Sequence, residues 1–335
     1  MGKLMKAVVT TADEQAPLID KDIAQPNLTD HDVLVKVSAT AMNPVDIKQL
    51  EGAQATQQER VLGFDAVGEI VSVGGTVVNY QIGDRVFFAG ELGRTGANAE
   101  FEAVCEDLIA KAPTTLSDIE SAALPLTFLT AYEMLADKFG IQMAADSAHG
   151  KTLLIINGAG GVGSIMIQLA KWLGMTVIAT ASRDETIAWV KDMGADEVVN
   201  HRANYVQTVK DLGYHDIPYI AVLHSLDQHF EKAADLVGTF GHIGAIVQST
   251  IPLPVGLIKN KAASLDWEFM FAKTNAGQNI ASQGAALALL AKLVDDGFVK
   301  STVTQTLDGL SAHTIMRAQK EVAPGNMLGK LVIKY

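Results

Sequence analysis

Short runs of β-branched and aromatic residues follow one another along the first 125 residues of the chain. These runs are KAVVT, DVLVKVSAT, VGEIVSVG, DRVFFAG and AEFEAVC, and turn-forming stretches such as PNLTDHD and IGD separate them. No segment with a strong helical period interrupts the runs before about residue 117. Short strands at close spacing predict a β-rich domain built as a sandwich or a barrel.

Strand and helix patterns alternate between residues 126 and 260. Buried-strand runs such as TLLIIN, MTVIATAS and IPYIAVLHS are separated by amphipathic stretches such as VGSIMIQLAKWLG and QHFEKAADLV. This alternation is typical of βαβ units. It therefore predicts an α/β fold with a doubly wound parallel sheet that helices cover on both faces.

Residues 261–335 mix the two kinds of pattern. We predict strands at SLDWEFMF, KSTVTQTL and GKLVIKY, and helices at NIASQGAALALLAKLVDDG and SAHTIMRAQKEVA. A chain of 335 residues is long for one hydrophobic core, which favours two domains. We predict one domain of residues 1–125 and 261–335, and a second domain of residues 126–260.

A glycine-rich loop lies between the first strand and the first helix of the second domain. The stretch contains Gly158, Ala159, Gly160, Gly161, Val162 and Gly163. In this spacing the first glycine permits a tight turn, the second lets a pyrophosphate approach the backbone, and the third lets the helix pack on the strand. The loop predicts a dinucleotide site at the helix N-terminus. The alternative is a glycine-rich turn with no ligand.

The next strand is followed by Ser182 and Arg183, where NAD-preferring sites usually carry an acidic residue for the ribose. A hydroxyl and a guanidinium suit a 2′-phosphate, so we predict NADPH, with NADH as the less favoured cofactor. The alternative is that Ser182 caps the following helix and Arg183 is merely exposed.

Other polar residues also follow predicted strands of this sheet. Ligands bind outside the carboxyl ends of the strands in such sheets, so we expect further cofactor contacts there. The candidates are Asn200, His201, His224, Ser225 and Val247.

Composition and charge narrow the class of protein. The net charge of −12 disfavours nucleic acid as a partner, because phosphate binding needs a basic surface. A single cysteine, Cys105, cannot form an internal disulfide or a cysteine-rich zinc site, and it suggests a reducing compartment. No apolar run approaches the roughly 18 residues that cross a bilayer. We therefore expect a cytoplasmic protein that acts on small molecules and not at a membrane.

Several longer segments together resemble the medium-chain dehydrogenase/reductase superfamily, and within it the zinc-lacking quinone oxidoreductase branch. They are ATAMNPVDIKQLEG, LGFDAVGEIVSVG, AALPLTFLTAYEML, GAGGVGSIMIQLAKWLG and GKLVIKY. The resemblance implies a GroES-like β-rich domain and a Rossmann domain. It also implies a homodimer, for which SLDWEFMFAK is the candidate edge.

The resemblance also bears on metal binding. Zinc-containing members carry a cysteine, a Gly-His-Glu motif and a further cysteine or aspartate as catalytic ligands. Here Asn43, Phe64, Asp65 and Leu126 stand at the corresponding positions. An amide and a phenyl ring do not supply the nitrogen and sulfur donors that zinc prefers. We therefore predict no metal, and we expect the buried carboxylate of Asp65 to bond backbone or a basic side chain.

Three residues are candidates for catalysis. The amide of Asn43 can donate to a carbonyl oxygen, although an Asx-type turn before Pro44 explains it equally well. Lys48 can donate a proton or bind phosphate, or it is a solvated lysine on a helix. The resemblance places Thr130 beside the nicotinamide, and its alternative is a helix hydroxyl that bonds its own backbone. It also implies cofactor contacts for Phe269, Phe271 and Lys330.

These observations predict an NADPH-dependent oxidoreductase that transfers hydride to a quinone or an α,β-unsaturated carbonyl without zinc. Such acceptors are already electron-poor and do not need a Lewis acid. Two alternatives remain, a zinc-dependent alcohol dehydrogenase and a non-catalytic NADPH-binding redox sensor.

Overall fold

The computed structural model describes residues 3–335, and the chain divides into two compact units. One unit extends to Leu129 and resumes at Phe271–Tyr335, and the other is Thr130–Met270. No helix in the described range 3–335 has the length and apolar character needed to cross a membrane.

The part of the first unit that ends at Leu129 is rich in strands, as predicted. Its strands are β1 Leu4–Thr10, β2 Leu18–Ala24, β3 Asp32–Ala41, β4 Asp65–Val73, β5 Arg85–Phe88, β6 Phe101–Cys105 and β7 Ile109–Lys111. Its helices are α1 Pro44–Thr56, the short α2 Asp118–Ala122 and α3 Pro125–Glu133, with a 3₁₀ turn at Glu106–Leu108. The division between the units falls inside α3, which continues as a π-helical turn, Met134–Lys138.

Helix α1 interrupts the strands and carries Lys48, and its sequence has no strong helical period, as expected. The buried face of α1 consists of Asp46, Leu50 and Ala53, which have helical spacing. One of these three is a carboxylate, so the helix lacks the continuous apolar stripe that identifies an amphipathic helix.

The second unit contains a six-stranded parallel sheet flanked by helices. In chain order its elements are β8 Thr152–Ile156, α4 Gly161–Trp172, β9 Thr176–Thr180, α5 Asp184–Asp192, β10 Glu197–Val199, α6 Tyr205–Asp211, β11 Ile217–Val222, α7 Leu226–Leu236, β12 Val237–Ala245, a 3₁₀ segment Val255–Lys261 and β13 Ser264–Trp267. The strand order is β10-β9-β8-β11-β12-β13, with every neighbouring pair parallel. This is the doubly wound Rossmann order, and it confirms the predicted fold.

The end of this unit lies later in the chain than residue 260. Strand β13 pairs with β12 and forms an edge of the parallel sheet, so residues 264–267 belong to the second unit. The predicted strand SLDWEFMF is also shorter than expected, since it stops at Trp267 and a helix begins at Phe271.

The C-terminal elements return to the first unit. They are α8 Phe271–Ala276, α9 Ala281–Asp295, β14 Val303–Asp308, α10 Ala312–Val322 and β15 Lys330–Lys334. They complete a seven-stranded sheet of order β14-β15-β3-β4-β5-β7, in which β6 also pairs with β3, while β1 and β2 pair with each other. Strand β3 thus lies between β15 and β4, with Ala41 opposite both Val332 and Asp65.

Candidate active site

The glycine loop joins β8 to α4 in the second unit. The left-handed backbone conformation falls on Asn157 (φ 72°), directly before the first glycine. Gly158 lies in the turn and permits its close approach to β9, because a Cβ there would lie 2.9 Å from the Cβ of Ala179. Its N–H donates to the carbonyl of Thr180 (3.1 Å). The first glycine therefore brings the loop close to the neighbouring strand.

The other two glycines of the motif have the expected places. Gly160 precedes the first residue of α4 as its N-cap. A Cβ at Gly163 would lie 2.5 Å from the carbonyl oxygen of Gly158, so only glycine permits this contact between helix and loop. The N-terminus of the twelve-residue helix α4 is left as a cradle for an anion, with Ala159, Gly161 and Val162 between the glycines. These residues fit the pyrophosphate of a dinucleotide.

The residues after β9 show that Ser182 does not cap the following helix. Arg183, and not Ser182, is the N-cap of α5, and the hydroxyl of Thr186 bonds the Arg183 backbone. The Arg183 guanidinium lies 3.0 Å from Glu185 on the exposed side of the helix start. Neither side chain is buried, so both are accessible at the carboxyl end of the strand.

A hydrogen-bond chain connects the ends of three neighbouring strands. The hydroxyl of Thr180 accepts the N–H of Asn157 (2.9 Å) and lies 3.2 Å from Nδ1 of His201. Asn200, just after β10, caps the next turn through the Arg202 N–H (2.9 Å). Thr180 was not predicted as a site residue, and its only sequence signal is its place as the last residue of β9.

Positive charge collects along this edge of the sheet. Burial lowers the pKa of His201, and the nearby charges of Arg202, His224, Arg183 and Lys232 lower it further. Three of these side chains follow strands and Lys232 lies within α7, in a protein whose net charge is −12. The edge therefore has a local field that favours an anionic group.

The remaining predicted cofactor residues of the second unit follow the next strands. Ser225 has a left-handed backbone (φ 48°) directly after β11, and its hydroxyl bonds His224. Val247 follows β12 and packs on the core. Phe269 follows β13 and is half exposed. All of these lie at the carboxyl end of one parallel sheet, whereas Thr130 is buried in α3.

A second cluster lies in the first unit, around the buried carboxylate of Asp65. Asp65 is completely buried at the start of β4. One carboxylate oxygen accepts the Leu126 N–H (2.7 Å), and the other accepts Nδ2 of Asn43 (2.8 Å) and Nζ of Lys330 (3.1 Å). The prediction that Asp65 bonds backbone and a basic side chain is confirmed.

Asn43 does not offer the free amide donor that was predicted. Its two amide protons are engaged by the Asp65 carboxylate and by the carbonyl of Ala41 (3.2 Å), and its amide oxygen accepts from Lys330 (2.5 Å). Asn43 also caps α1, where its backbone N–H donates to Asp46 (2.8 Å). As a donor to substrate, Asn43 would first have to release one of these partners.

Lys330 likewise differs from the prediction of a cofactor contact. Its side chain is buried, and its ammonium donates to the carbonyl of Met42 (3.0 Å), to Asn43 and to Asp65. All three protons are therefore engaged inside the first unit. Phe271 is also in this unit, with its ring 4.8 Å from that of Phe64. Lys48 lies exposed on α1 and is not part of the cluster.

The residues of this cluster do not fit a zinc ion. Phe64 packs on another ring, Leu126 offers only its backbone N–H, and the oxygens of Asn43 and Asp65 face an ammonium. Within the described range 3–335, no three His, Cys, Asp or Glu side chains are grouped to hold a metal ion. Zinc prefers tetrahedral sites of nitrogen and sulfur donors, which this arrangement does not supply.

Buried carboxylic acids are the feature that the sequence did not reveal. Burial raises the pKa of Asp46 to about 7, and the neighbouring Asp65 adds to the rise. In the second unit, burial raises the pKa of Glu268 to about 9, with a further contribution from Glu133, which is also buried. Each of these carboxyl groups lies in a segment whose apolar neighbours gave no sign of a titrating site.

Two sequence families match the chain, each within one unit. The alcohol dehydrogenase GroES-like domain matches residues 29–114, and the zinc-binding dehydrogenase family matches residues 161–270.

Three further proteins match 70% or more of the chain. A zinc-type alcohol dehydrogenase-like protein of Staphylococcus epidermidis is 41% identical over 92% of each chain. An NADPH-dependent alkenal/one oxidoreductase of Arabidopsis thaliana is 31% identical over 70% of this chain and 60% of its own. The solved quinone oxidoreductase of Coxiella burnetii is 26% identical, with a TM-score of 0.80, and the match covers 99% of this chain and 100% of that one.

Replacing Gly163 by alanine should destabilise the second unit and weaken cofactor binding. The added methyl group would collide with backbone, at an expected cost of about 1–3 kcal/mol in the free energy of unfolding. Gly160→Ala is the matched control for stability alone, because its Cβ would lie 3.4 Å from the Asn157 side chain at an ordinary φ of −75°, whereas its methyl group stands in the predicted pyrophosphate cradle. Thermal melting and NADPH titration check both variants. A Gly163→Ala variant that melts like the wild type contradicts this packing.

The difference in stability between Asp46→Asn and the wild type should favour the variant more at pH 8 than at pH 5. Native Asp46 keeps its proton up to about pH 7, whereas the unfolded chain loses it near pH 4, so wild-type stability falls as pH rises between these values. The loss amounts to about 4 kcal/mol at most. The Asn variant does not titrate and so has no such loss, and its amide oxygen can still accept the Asn43 N–H. Equal differences in Tm at the two pH values would show that Asp46 is not held protonated.

Proposed function

Because the chain belongs to the medium-chain dehydrogenase/reductase superfamily and is an oxidoreductase of that family, we propose that it reduces quinones or α,β-unsaturated carbonyls with NADPH and without zinc. The observation that carries the proposal is the buried Lys330–Asp65–Asn43 cluster, in which an ammonium faces the donor atoms that a catalytic metal would need. Without a Lewis acid, the favoured acceptor is one that is already electron-poor.

The cradle at the carboxyl end of the parallel sheet supports the cofactor part of the proposal. The N–H groups at the start of α4 would hold the pyrophosphate, and the glycines keep side chains out of its way. Arg183 and the cations near His201 favour a 2′-phosphate, which carries extra negative charge. When bound, NADPH supplies the hydride. The Arabidopsis relative is named for the same cofactor and for alkenals and enones as acceptors.

A panel of acceptors tests the proposed reaction. NADPH and NADH are offered side by side with quinones, enones, saturated ketones and aldehydes, and oxidation of the nicotinamide is followed by absorbance. We expect turnover of quinones or enones with NADPH, at a rate that prolonged treatment with a zinc chelator leaves unchanged. Turnover restricted to saturated carbonyls and abolished by the chelator would favour a zinc alcohol dehydrogenase. Binding of NADPH without turnover would favour a redox sensor.

Arg183→Ala should reduce the preference for NADPH over NADH by roughly 10-fold or more. A charge-assisted bond to a phosphate contributes about 1.5–3 kcal/mol. The substitution should therefore weaken binding of NADPH but not of NADH, which has no 2′-phosphate. Lys191→Ala is the control, since Lys191 is an exposed cation in the last turn of the same helix α5. Dissociation constants for both cofactors measure the ratio. An unchanged ratio in Arg183→Ala would remove Arg183 from the cofactor site.

The proposal includes a homodimer that forms through the edge of the parallel sheet. Strand β13 has β12 as its neighbour on one side, and among the described residues no strand pairs with its other side. Trp267 at its end is 45% exposed. An edge of this kind invites pairing with a second copy. Gel filtration or light scattering that gives a monomer would contradict the dimer.

A further inference from the structure

Three oxygen atoms of the first unit converge on one buried positive charge. They are the amide oxygen of Asn43 (2.5 Å), the carbonyl oxygen of Met42 (3.0 Å) and a carboxylate oxygen of Asp65 (3.1 Å), each measured to Nζ of Lys330. Lys330 is 3% exposed and Asp65 is 0% exposed. Together these atoms form a cation site whose occupant is a side chain of the same protein.

The ligands match an ammonium closely. An ammonium has three protons and no lone pair, and here it meets three acceptors, one of which carries a full negative charge. An unpaired charge at this depth would be very unfavourable, so Lys330 and Asp65 each need the other. The sheet enforces the meeting, because β15 and β4 flank the end of β3, and Met42 and Asn43 directly follow that strand.

The same contacts leave no vacancy for a second cation. The other carboxylate oxygen of Asp65 already accepts the Leu126 N–H, and the Asn43 amide is held by Ala41 and Asp65. The three distances to Nζ are also longer than the roughly 2.0–2.2 Å of zinc–oxygen bonds. A zinc ion would have to displace the ammonium and contract the site.

We propose that the Lys330 ammonium is the resident cation of this site, which keeps divalent metal out and fixes the positions of Asn43 and Asp65. The inference deepens the zinc-free part of the proposed function. Its tests measure stability and metal content, so they can fail without deciding whether quinones or enones are reduced, and the acceptor panel can fail without touching the cation site.

Chemical rescue tests the internal cation. Lys330→Ala removes three methylene groups and the ammonium, which propylammonium replaces. We expect Tm to fall by roughly 5–10 °C, and part of the loss to be recovered by propylammonium but not by 1-propanol. Lys330→Met keeps the apolar stem, and its Tm should also fall. Propylammonium should not recover this loss, because the methionine side chain fills the space. Lys334→Ala, at an exposed lysine of the same strand, should leave Tm unchanged.

Two results would overturn the internal cation. One is an unchanged Tm in Lys330→Ala, and the other is equal rescue by propylammonium and 1-propanol. Should Lys330→Ala fail to fold, the pair Lys330→Met and Asp65→Asn/Lys330→Met decides the question. The double variant should be the more stable of the two, because it no longer contains an unpaired carboxylate. A double variant that is less stable than Lys330→Met contradicts the proposal.

Metal content tests the exclusion of zinc. Asn43→Cys/Phe64→His restores two donors that zinc prefers, and it is compared with the same variant carrying Lys330→Met in addition. After incubation with zinc chloride and extensive dialysis, we expect about one equivalent of zinc only in the triple variant, read by elemental analysis. Zinc in both variants, or in neither, would show that Lys330 does not control access of the metal.

Discussion

The buried ion pair between Lys330 and Asp65 is the interaction around which the first unit is arranged. It joins β15 to β4 across the end of β3, and through Asn43 it also fixes the start of α1. Removing one partner of such a pair typically costs about 3–5 kcal/mol, because the other charge stays buried. The pair therefore constrains three strands and a helix at the positions that the family resemblance assigns to zinc ligands. Its geometry limits the chemistry of the site to what an immobile positive charge and hydrogen bonds can supply.

The second unit contributes a different kind of electrostatics. Its charges lie at the accessible carboxyl edge of a parallel sheet, where the glycine loop, the Thr180 hydroxyl and a group of cations come together. Backbone N–H groups and a helix dipole at this edge favour an anion without any side-chain rearrangement. Under the proposed function the chain thus separates two tasks, since the second unit would hold a charged cofactor at an accessible edge while the first unit pairs the buried Lys330 with Asp65.

Local features of the sequence predicted the structure better than contacts between distant segments. The glycine loop and the alternating βαβ pattern are short-range signals, and both the Rossmann order and the helix after the loop follow from them. The apolar strand around Asp65 also indicated that its carboxylate needs a bonding partner. That partner, Lys330, lies 265 residues away in the chain, so no local pattern could identify it. The same long-range contacts engage the Asn43 amide, which is why its predicted role as a free donor fails. Helix α1 has no strong helical period because Asp46 occupies its buried face.

The central claim is that the Lys330 ammonium, and not zinc, occupies the site beside Asp65. A crystal structure from crystals grown with NADPH and excess zinc chloride would test it most directly, with anomalous scattering recorded at the zinc edge. The account predicts Lys330 Nζ within hydrogen-bond distance of Asp65, Asn43 and Met42, and no anomalous peak at that position. A zinc peak bonded to Asp65, with the Lys330 side chain turned away, would contradict it.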